Sequence, residues 1–81
     1  MAVTLQERQK FYVELTKNPA EYRDILKKNV SFEEDKFVEL YEELGSVGII
    51  KNGIDGTLKK RYMLTDLGKE QISSFLKVYC L

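Results

Sequence analysis

Residues 48–68, GIIKNGIDGTLKKRYMLTDLG, decide the fold of this chain. Two β-prone runs, residues 49–51 and 58–64, are separated by a loop that contains an Asn-Gly pair at Asn52 and an Asp-Gly pair at Asp55. These dipeptides are the strongest short-range signals for a tight turn between antiparallel strands. The stretch therefore predicts a β-hairpin with its turn between the two runs.

The sequence before the hairpin opens with two predicted helices. Thr4 and Glu7 form a T-x-x-E capping box, in which each side chain bonds the backbone amide of the other residue at the start of the first helix. Asn18 followed by Pro19 predicts the N-cap and the first residue of a second helix over residues 19–28. This spacing leaves no room for a strand between the two helices.

A third helix precedes the hairpin and a fourth follows it. Ser31, with Glu34 three residues on, predicts a capping box for the third helix, and Gly48 supplies the residue that ends it. Thr65 predicts the N-cap of the fourth helix. Apolar residues then recur on that helix at i, i+3, i+4 and i+7: Ile72, Phe75, Leu76 and Tyr79. A chain of 81 residues has little with which to cover this stripe, so we expect a homodimer that buries part of it with the first helix.

This order of elements resembles the winged helix-turn-helix domains of small transcriptional regulators. Residues 44–50, LGSVGII, are similar to the "L-x-x-x-G-L-I" exit from the third helix of that family, and residues 61–68, RYMLTDLG, resemble its "Y-x-L-T-x-x-G" passage out of the wing. The resemblance covers nearly the whole chain and implies one mostly α domain over residues 1–81 with a β-hairpin wing. It also implies that the third helix enters the major groove of DNA and that the wing meets the backbone or the minor groove.

The distribution of charge along the chain conflicts with the expectation that the third helix enters the major groove. Residues 31–45 carry six acidic residues and one basic residue, so the expected reading helix is the most acidic segment. Three acids side by side near phosphates are repulsive. Two interpretations stay open: the acids stabilise the helix N-terminus through its dipole, or they form a face that binds a basic partner protein. The residues of this candidate acidic face are Glu33, Glu34, Asp35 and Glu39.

The predicted wing carries the opposite charge. Its cations are Lys51, Lys59, Lys60 and Arg61. Strand alternation places Lys59 and Arg61 on one face and Lys60 on the other. These side chains either contact DNA phosphates or serve as ordinary solvated lysines that protect an edge strand from aggregation.

Composition excludes several other classes of protein. The chain has 13 basic and 13 acidic residues, so no global charge attracts polyanions. It has no histidine and a single cysteine, which excludes a structural zinc site and an intrachain disulfide. Cys80 is expected to be a free thiol, with an intersubunit disulfide as the alternative. No stretch has transmembrane length and no signal-peptide core is present, which predicts a cytoplasmic protein with no membrane partner.

No catalytic constellation is recognisable in the sequence. Gly53 and Gly56 lie in a hairpin rather than at a helix N-terminus, so they do not form a phosphate-binding loop. We therefore expect no enzyme activity and no cofactor or metal. Two functions are consistent with the sequence: a DNA-binding regulator that uses its basic wing, or a winged-helix interaction module that uses its acidic third helix.

Overall fold

Four helices and a three-stranded antiparallel sheet make up the described part of the chain, residues 3–79 of a computed structural model. The elements in chain order are α1 (Leu5–Lys17), β1 (Ala20–Tyr22), α2 (Arg23–Val30), α3 (Glu34–Ser46), β2 (Ile50–Ile54), β3 (Lys60–Leu64) and α4 (Asp66–Tyr79). The strand order is β1-β3-β2. Cys80, expected to carry a free thiol, lies outside the described residues.

The predicted capping box at the start of α1 is confirmed. The Thr4 amide donates to Glu7 Oε1 at 2.9 Å, and the Glu7 amide donates to Thr4 Oγ1 at 3.1 Å. Glu7 also accepts from Lys36 Nζ of α3 at 2.8 Å, and these contacts, that of Lys36 first, lower the pKa of Glu7 to about 2. The cap thus fixes the start of α1 and ties it to α3.

The prediction that no strand separates the first two helices is wrong. Residues Ala20–Tyr22 form β1, which pairs antiparallel with β3, and α2 begins only at Arg23. The Pro19 carbonyl accepts from the Leu64 amide at 2.7 Å, and the Asn18 carbonyl accepts from the Tyr62 hydroxyl at 2.6 Å. Long-range pairing with β3 therefore overrides the local preference of Asn-Pro for a helix start.

Ser31 does not cap α3, contrary to prediction. It takes a left-handed conformation, φ 56°, at the C-terminal end of α2, and its hydroxyl donates to the Lys28 carbonyl at 3.1 Å. The N-cap of α3 is Glu33, whose side chain makes no capping hydrogen bond. Serine suits either role, because its hydroxyl can bond the exposed carbonyls of one helix or the exposed amides of the next.

The predicted hairpin between β2 and β3 is confirmed, but its turn lies later in the chain than expected, because Leu58 and Lys59, predicted to begin the second strand, lie in the turn. Asn52 and Gly53 lie inside β2, where they pair with Tyr62 and Arg61 of β3. Only the Asp-Gly pair lies in the turn, which spans residues 55–59. We call the hairpin of residues 50–64 the wing.

The start of α4 packs against Gly48 and Ile49, which follow α3. Gly48 has φ 85° and ends α3 as predicted, and the Ile49 amide reaches back to the Leu44 carbonyl at 2.9 Å. The Gly68 amide donates to Thr65 Oγ1 at 2.9 Å, which confirms Thr65 as the N-cap of α4. A Cβ atom at Gly68 would lie 2.1 Å from the Ile49 carbonyl oxygen, so only glycine allows this approach.

One apolar core joins the helices to the inner face of the sheet. Its largest fully buried side chains are Tyr62, Phe11, Phe37, Leu15, Leu26, Leu40, Leu44, Ile72 and Val30. Tyr62 of β3 reaches across this core to α3, where its ring meets Tyr41 edge-on at 6.5 Å. The wing is thereby anchored to the helix that precedes it.

Gly68→Ala is expected to destabilise the fold by about 1–3 kcal/mol, because the added methyl group overpacks against the Ile49 carbonyl. The sign is informative, since alanine normally stabilises a helix by about 1 kcal/mol relative to glycine. The matched control is Gly56→Ala, where a Cβ meets no atom within 4 Å and the expected change is within about 0.5 kcal/mol. Urea unfolding measures both; a Gly68→Ala protein as stable as the parent contradicts the close approach.

Candidate nucleic-acid interface

The outer face of the wing gathers three of its four cations. Arg61 stands opposite Tyr22 of β1 and Gly53 of β2, and Lys51 stands opposite Met63, so these residues share the face that points away from the core. Lys59 joins them, as its Nζ lies 5.4 Å from the centre of the Tyr22 ring. We call Lys51, Lys59 and Arg61 the outer wing face.

Tyr22 organises this face. The Arg61 guanidinium lies 4.7 Å from the centre of its ring, so two cations lie close to one aromatic ring. A hydrogen bond between the Tyr22 hydroxyl and the Asp55 carboxylate raises the pKa of Tyr22. Strand β1, which the sequence did not predict, therefore supplies the residue that holds Lys59 and Arg61 together.

Asp55 holds the turn of the wing in one shape. Its Oδ1 accepts from the Thr57 hydroxyl at 2.6 Å, the Thr57 amide at 2.9 Å and the Lys59 amide at 3.2 Å. The hydrogen bond from the Thr57 side chain, followed by that from Tyr22, keeps the pKa of Asp55 well below its usual range. The carboxylate is thus directed into the loop and leaves the tip of the wing without an outward acidic group.

Leu58 occupies an unusual position at the tip of the wing. Its amide donates to the Asp55 carbonyl at 3.0 Å, its φ is 63°, and the residue is 84% exposed. Hairpin loops of this length favour glycine at the left-handed position. A leucine is strained in this conformation, and its side chain buries almost no surface. Neither backbone geometry nor packing therefore explains why residue 58 is a leucine.

Lys60 lies on the opposite face of the wing, as strand alternation predicted. It stands opposite Ile54 and lines a groove between the wing and α3 that Arg23 and Glu42 also line. Arg23 covers the rings of two core residues, 5.0 Å from the centre of Phe37 and 5.3 Å from the centre of Tyr41. Arg61 also borders this groove, so Lys60 is set apart from Lys51 and Lys59 but not from Arg61.

The exposed face of α3 is acidic from Asp35 to Glu42. Phe37, Leu40, Tyr41 and Leu44 face the core, and the opposite side of the helix carries Asp35, Glu39 and Glu42, all exposed. A helix with this surface is repelled by phosphates, and it lacks the arginine, lysine and amide side chains that read most bases.

Other acidic residues of α3 have local roles. Glu34 pairs with Lys27 of α2, and Glu43 pairs with Arg8 of α1 at 2.6 Å. Glu34 and Asp35 also lie in the first turn of α3, where the helix dipole favours negative charge. Glu33 is the N-cap residue. Helix stabilisation thus accounts for the N-terminal acids of the candidate acidic face.

The apolar stripe on α4 is divided between the core and the surface. Ile72 is 2% exposed and belongs to the core of the chain itself, so it is not available to a second copy. Phe75 packs edge-on against Tyr12 of α1 at 4.9 Å and is half-buried, as is Leu76. Tyr79 and its neighbour Val78 are exposed at the end of the helix.

Sequence reasoning missed Tyr22, Asp55 and Leu58 as parts of this site. The Asn18-Pro19 pair predicts a helix that includes Tyr22, and the sequence gives Asp55 only a turn signal. Leu58 carries no sequence signal, because its left-handed conformation depends on where the turn falls within the hairpin. Within residues 3–79, no group of acidic, histidine or cysteine side chains is arranged to hold a metal ion. None of the described helices is both long enough and apolar enough to cross a bilayer.

Leu58→Asn is expected to raise the free energy of unfolding by about 1 kcal/mol, because asparagine tolerates the left-handed conformation that leucine resists. A gain of that size raises the midpoint of thermal unfolding by roughly 4–8 °C in a domain of this size. Leu58→Ala is the matched control, since alanine keeps the Cβ that causes the conflict and should leave the midpoint unchanged. Equal midpoints for the asparagine and alanine variants would show that the tip is not strained.

Comparison with known proteins supports the architecture. No protein-family model matches the chain, and neither does any curated protein. It is similar to the solved structure of the transcriptional repressor CouR bound to a 23-mer DNA duplex, with 18% identity and a TM-score of 0.75 over 86% of this chain and 51% of that one. The PcaV transcriptional regulator from Streptomyces coelicolor, solved with its natural ligand, is 19% identical with a TM-score of 0.74 over 94% of this chain and 54% of that one.

A MarR-family transcriptional regulator from Silicibacter pomeroyi gives a TM-score of 0.72 at 13% identity, over 94% of this chain and 53% of that one. The chain therefore spans about half the length of the solved structures that it matches. At these identities the likeness establishes the fold. The chain has a winged helix-turn-helix fold, in which α2 and α3 form the helix-turn-helix and β2 and β3 form the wing.

Proposed function

We propose that this chain is a DNA-binding transcriptional regulator that contacts DNA mainly through the outer wing face. The observation that carries the proposal is the clustering of Lys51, Lys59 and Arg61 on one side of a hairpin, with the only acidic residue of the wing directed into the loop. The likeness to a repressor solved on a DNA duplex supports DNA as the polyanion.

The acidic stripe of α3 determines how such a protein would dock. Phosphates repel Asp35, Glu39 and Glu42, so α3 cannot lie deep in the major groove without a large electrostatic cost. Contacts from the wing alone are mostly to phosphates, which fix position but carry little sequence information. Binding is therefore expected to be modest in affinity and weakly dependent on sequence. The proposal includes no catalytic activity and no cofactor, and it places the protein in the cytoplasm.

A homodimer is part of the proposal. Exposed apolar residues lie at the start of α1 (Leu5) and at the end of α4 (Val78 and Tyr79). A hydrogen bond from the Gln9 side chain of α1 to the Tyr79 carbonyl joins the two helices. We expect sedimentation at high micromolar concentration to give twice the 9.5 kDa chain mass. Val78→Asp should shift the chain towards monomer. The control Val47→Asp, at the end of α3, should leave the dimer intact. A parent that sediments as a single chain contradicts the dimer.

The triple variant Lys59→Ala, Lys60→Ala, Arg61→Ala tests the wing directly. Counterion release predicts a log–log salt slope of about −0.9 per phosphate neutralised, hence about −3 per subunit for the three cations of the outer wing face. Fluorescence anisotropy with a random duplex at several salt concentrations measures this slope. The triple variant should lose binding.

A control variant that loses the same number of positive charges shows whether the effect is specific to the wing or follows from any loss of charge. Lys10→Ala, Lys69→Ala, Lys77→Ala removes three cations from α1 and α4 and should keep most of the affinity and the slope. If the wing triple variant binds as well as the parent, the wing is not the contact surface.

A second function is favoured by one observation, the unbroken acidic stripe of α3. Such a stripe complements a basic protein surface, so the chain would then act as an interaction module that docks α3 on its partner. This function takes first place if the parent shows no DNA binding even at roughly 50 mM salt, where electrostatic affinity is high.

The double variant Asp35→Asn, Glu42→Gln distinguishes the two functions. If DNA is bound, removal of two negative charges facing phosphates should tighten binding about twofold to tenfold. Glu70→Gln, an exposed acid of α4, is the control and should have little effect. Weaker DNA binding by the double variant would show that α3 makes favourable contacts and would contradict docking through the wing alone.

A further inference from the structure

The tip of the wing breaks the local rules of its own turn. Leu58 is left-handed where glycine is favoured, and its side chain is 84% exposed. Ile54, on the other side of the loop, is 66% exposed. Positions that break a local rule without any gain to the fold are expected where function requires the side chain. Leu58 therefore needs an explanation outside the folded chain.

The surroundings of Leu58 indicate what it meets. Lys59 follows it directly, and the charged groups of Lys59 and Arg61 lie 5.4 Å and 4.7 Å from the centre of the Tyr22 ring. The Asp55 carboxylate is occupied by the amides and hydroxyl of the loop. The tip thus presents an apolar group framed by cations, which complements a polyanion that also has an apolar interior. Duplex DNA, with stacked bases between two phosphate backbones, has that character.

The dimensions of the wing decide which part of the DNA the tip enters. Backbones of paired strands lie about 4.8 Å apart, before side chains are added. The minor groove of B-DNA is about 6 Å wide, so a hairpin cannot enter it, but one side chain at the tip can. Leucine is one of the apolar residues that minor-groove proteins insert between base steps.

We propose that Leu58 is an apolar wedge that enters the minor groove and partly unstacks one base step, while Lys59 and Arg61 hold the flanking phosphates. This inference rests on the proposed function and deepens it by assigning a contact to the bases. Pyrimidine–purine steps such as TA unstack most easily, so the wedge would give the wing a preference for flexible steps.

The test uses the full chain and a duplex that carries 2-aminopurine at a central TA step. The parent and Leu58→Met should raise the fluorescence of the 2-aminopurine on binding, because unstacking relieves its quenching. Leu58→Asn and Leu58→Ala should bind roughly tenfold more weakly without that rise, because an apolar side chain is no longer buried. Their salt slopes should equal that of the parent, since no charge has changed. Thermal unfolding of each variant checks that it is folded.

Each other outcome overturns the inference in a recognisable way. If Leu58→Asn binds with the affinity of the parent while the wing triple variant does not bind, the proposed function stands and the wedge is wrong. If the parent binds without any rise in fluorescence, Leu58 does not unstack a step. If neither parent nor variants bind DNA, the proposed function fails and the wedge with it. Binding of the parent to anionic lipid vesicles but not to DNA would assign the apolar tip to a membrane surface instead.

Discussion

The contact between the first turn of α4 and residues Gly48 and Ile49 fixes the relation between α3 and the wing. The Ile49 carbonyl accepts from the Thr65 amide at 3.0 Å, and Thr65 Oγ1 lies 2.5 Å from the Gly48 carbonyl oxygen. Gly68 completes the contact by offering no Cβ to the Ile49 carbonyl. Because Ile49 lies between the end of α3 and the start of β2, this junction holds a helix of one charge beside a hairpin of the other.

The position of the acidic helix α3 beside the basic wing constrains function more than the fold class does. The chain shares its fold with a repressor solved on a DNA duplex, yet the exposed stripe of α3 is acidic and the outer wing face is basic. Under the proposed function, such a surface approaches DNA with the wing leading. Tyr22 and Asp55 would then act as positioning residues, since Tyr22 lies close to Lys59 and Arg61 and Asp55 shapes the loop that contains Leu58.

Those features that local patterns determine could be predicted from the sequence. The capping box at Thr4, the end of α3 at Gly48, the cap at Thr65 and the hairpin all depend on residues within a few positions of one another. The placement of Lys60 and Arg61 on opposite faces of β3 also follows from strand alternation, whereas Lys59 lies in the turn before the strand.

The failures have a common cause in long-range contacts. Strand β1 forms because Ala20–Tyr22 pairs with β3, about 40 residues later in the chain, and no local signal reports that partner. Ser31 was assigned to the wrong helix end because its hydroxyl serves both ends equally well in isolation. The strained tip could not be predicted either, since Asn52 and Gly53 offered a turn that the pairing with β3 did not use.

The most direct test of the account is amide chemical-shift mapping of the isotopically labelled chain as a random duplex is added at low salt. The account predicts that the largest shifts occur at Lys51, at residues 58–61 and at Tyr22, with little change at Asp35 and Glu42. Shifts concentrated on the exposed residues of α3, with the wing unaffected, would contradict it.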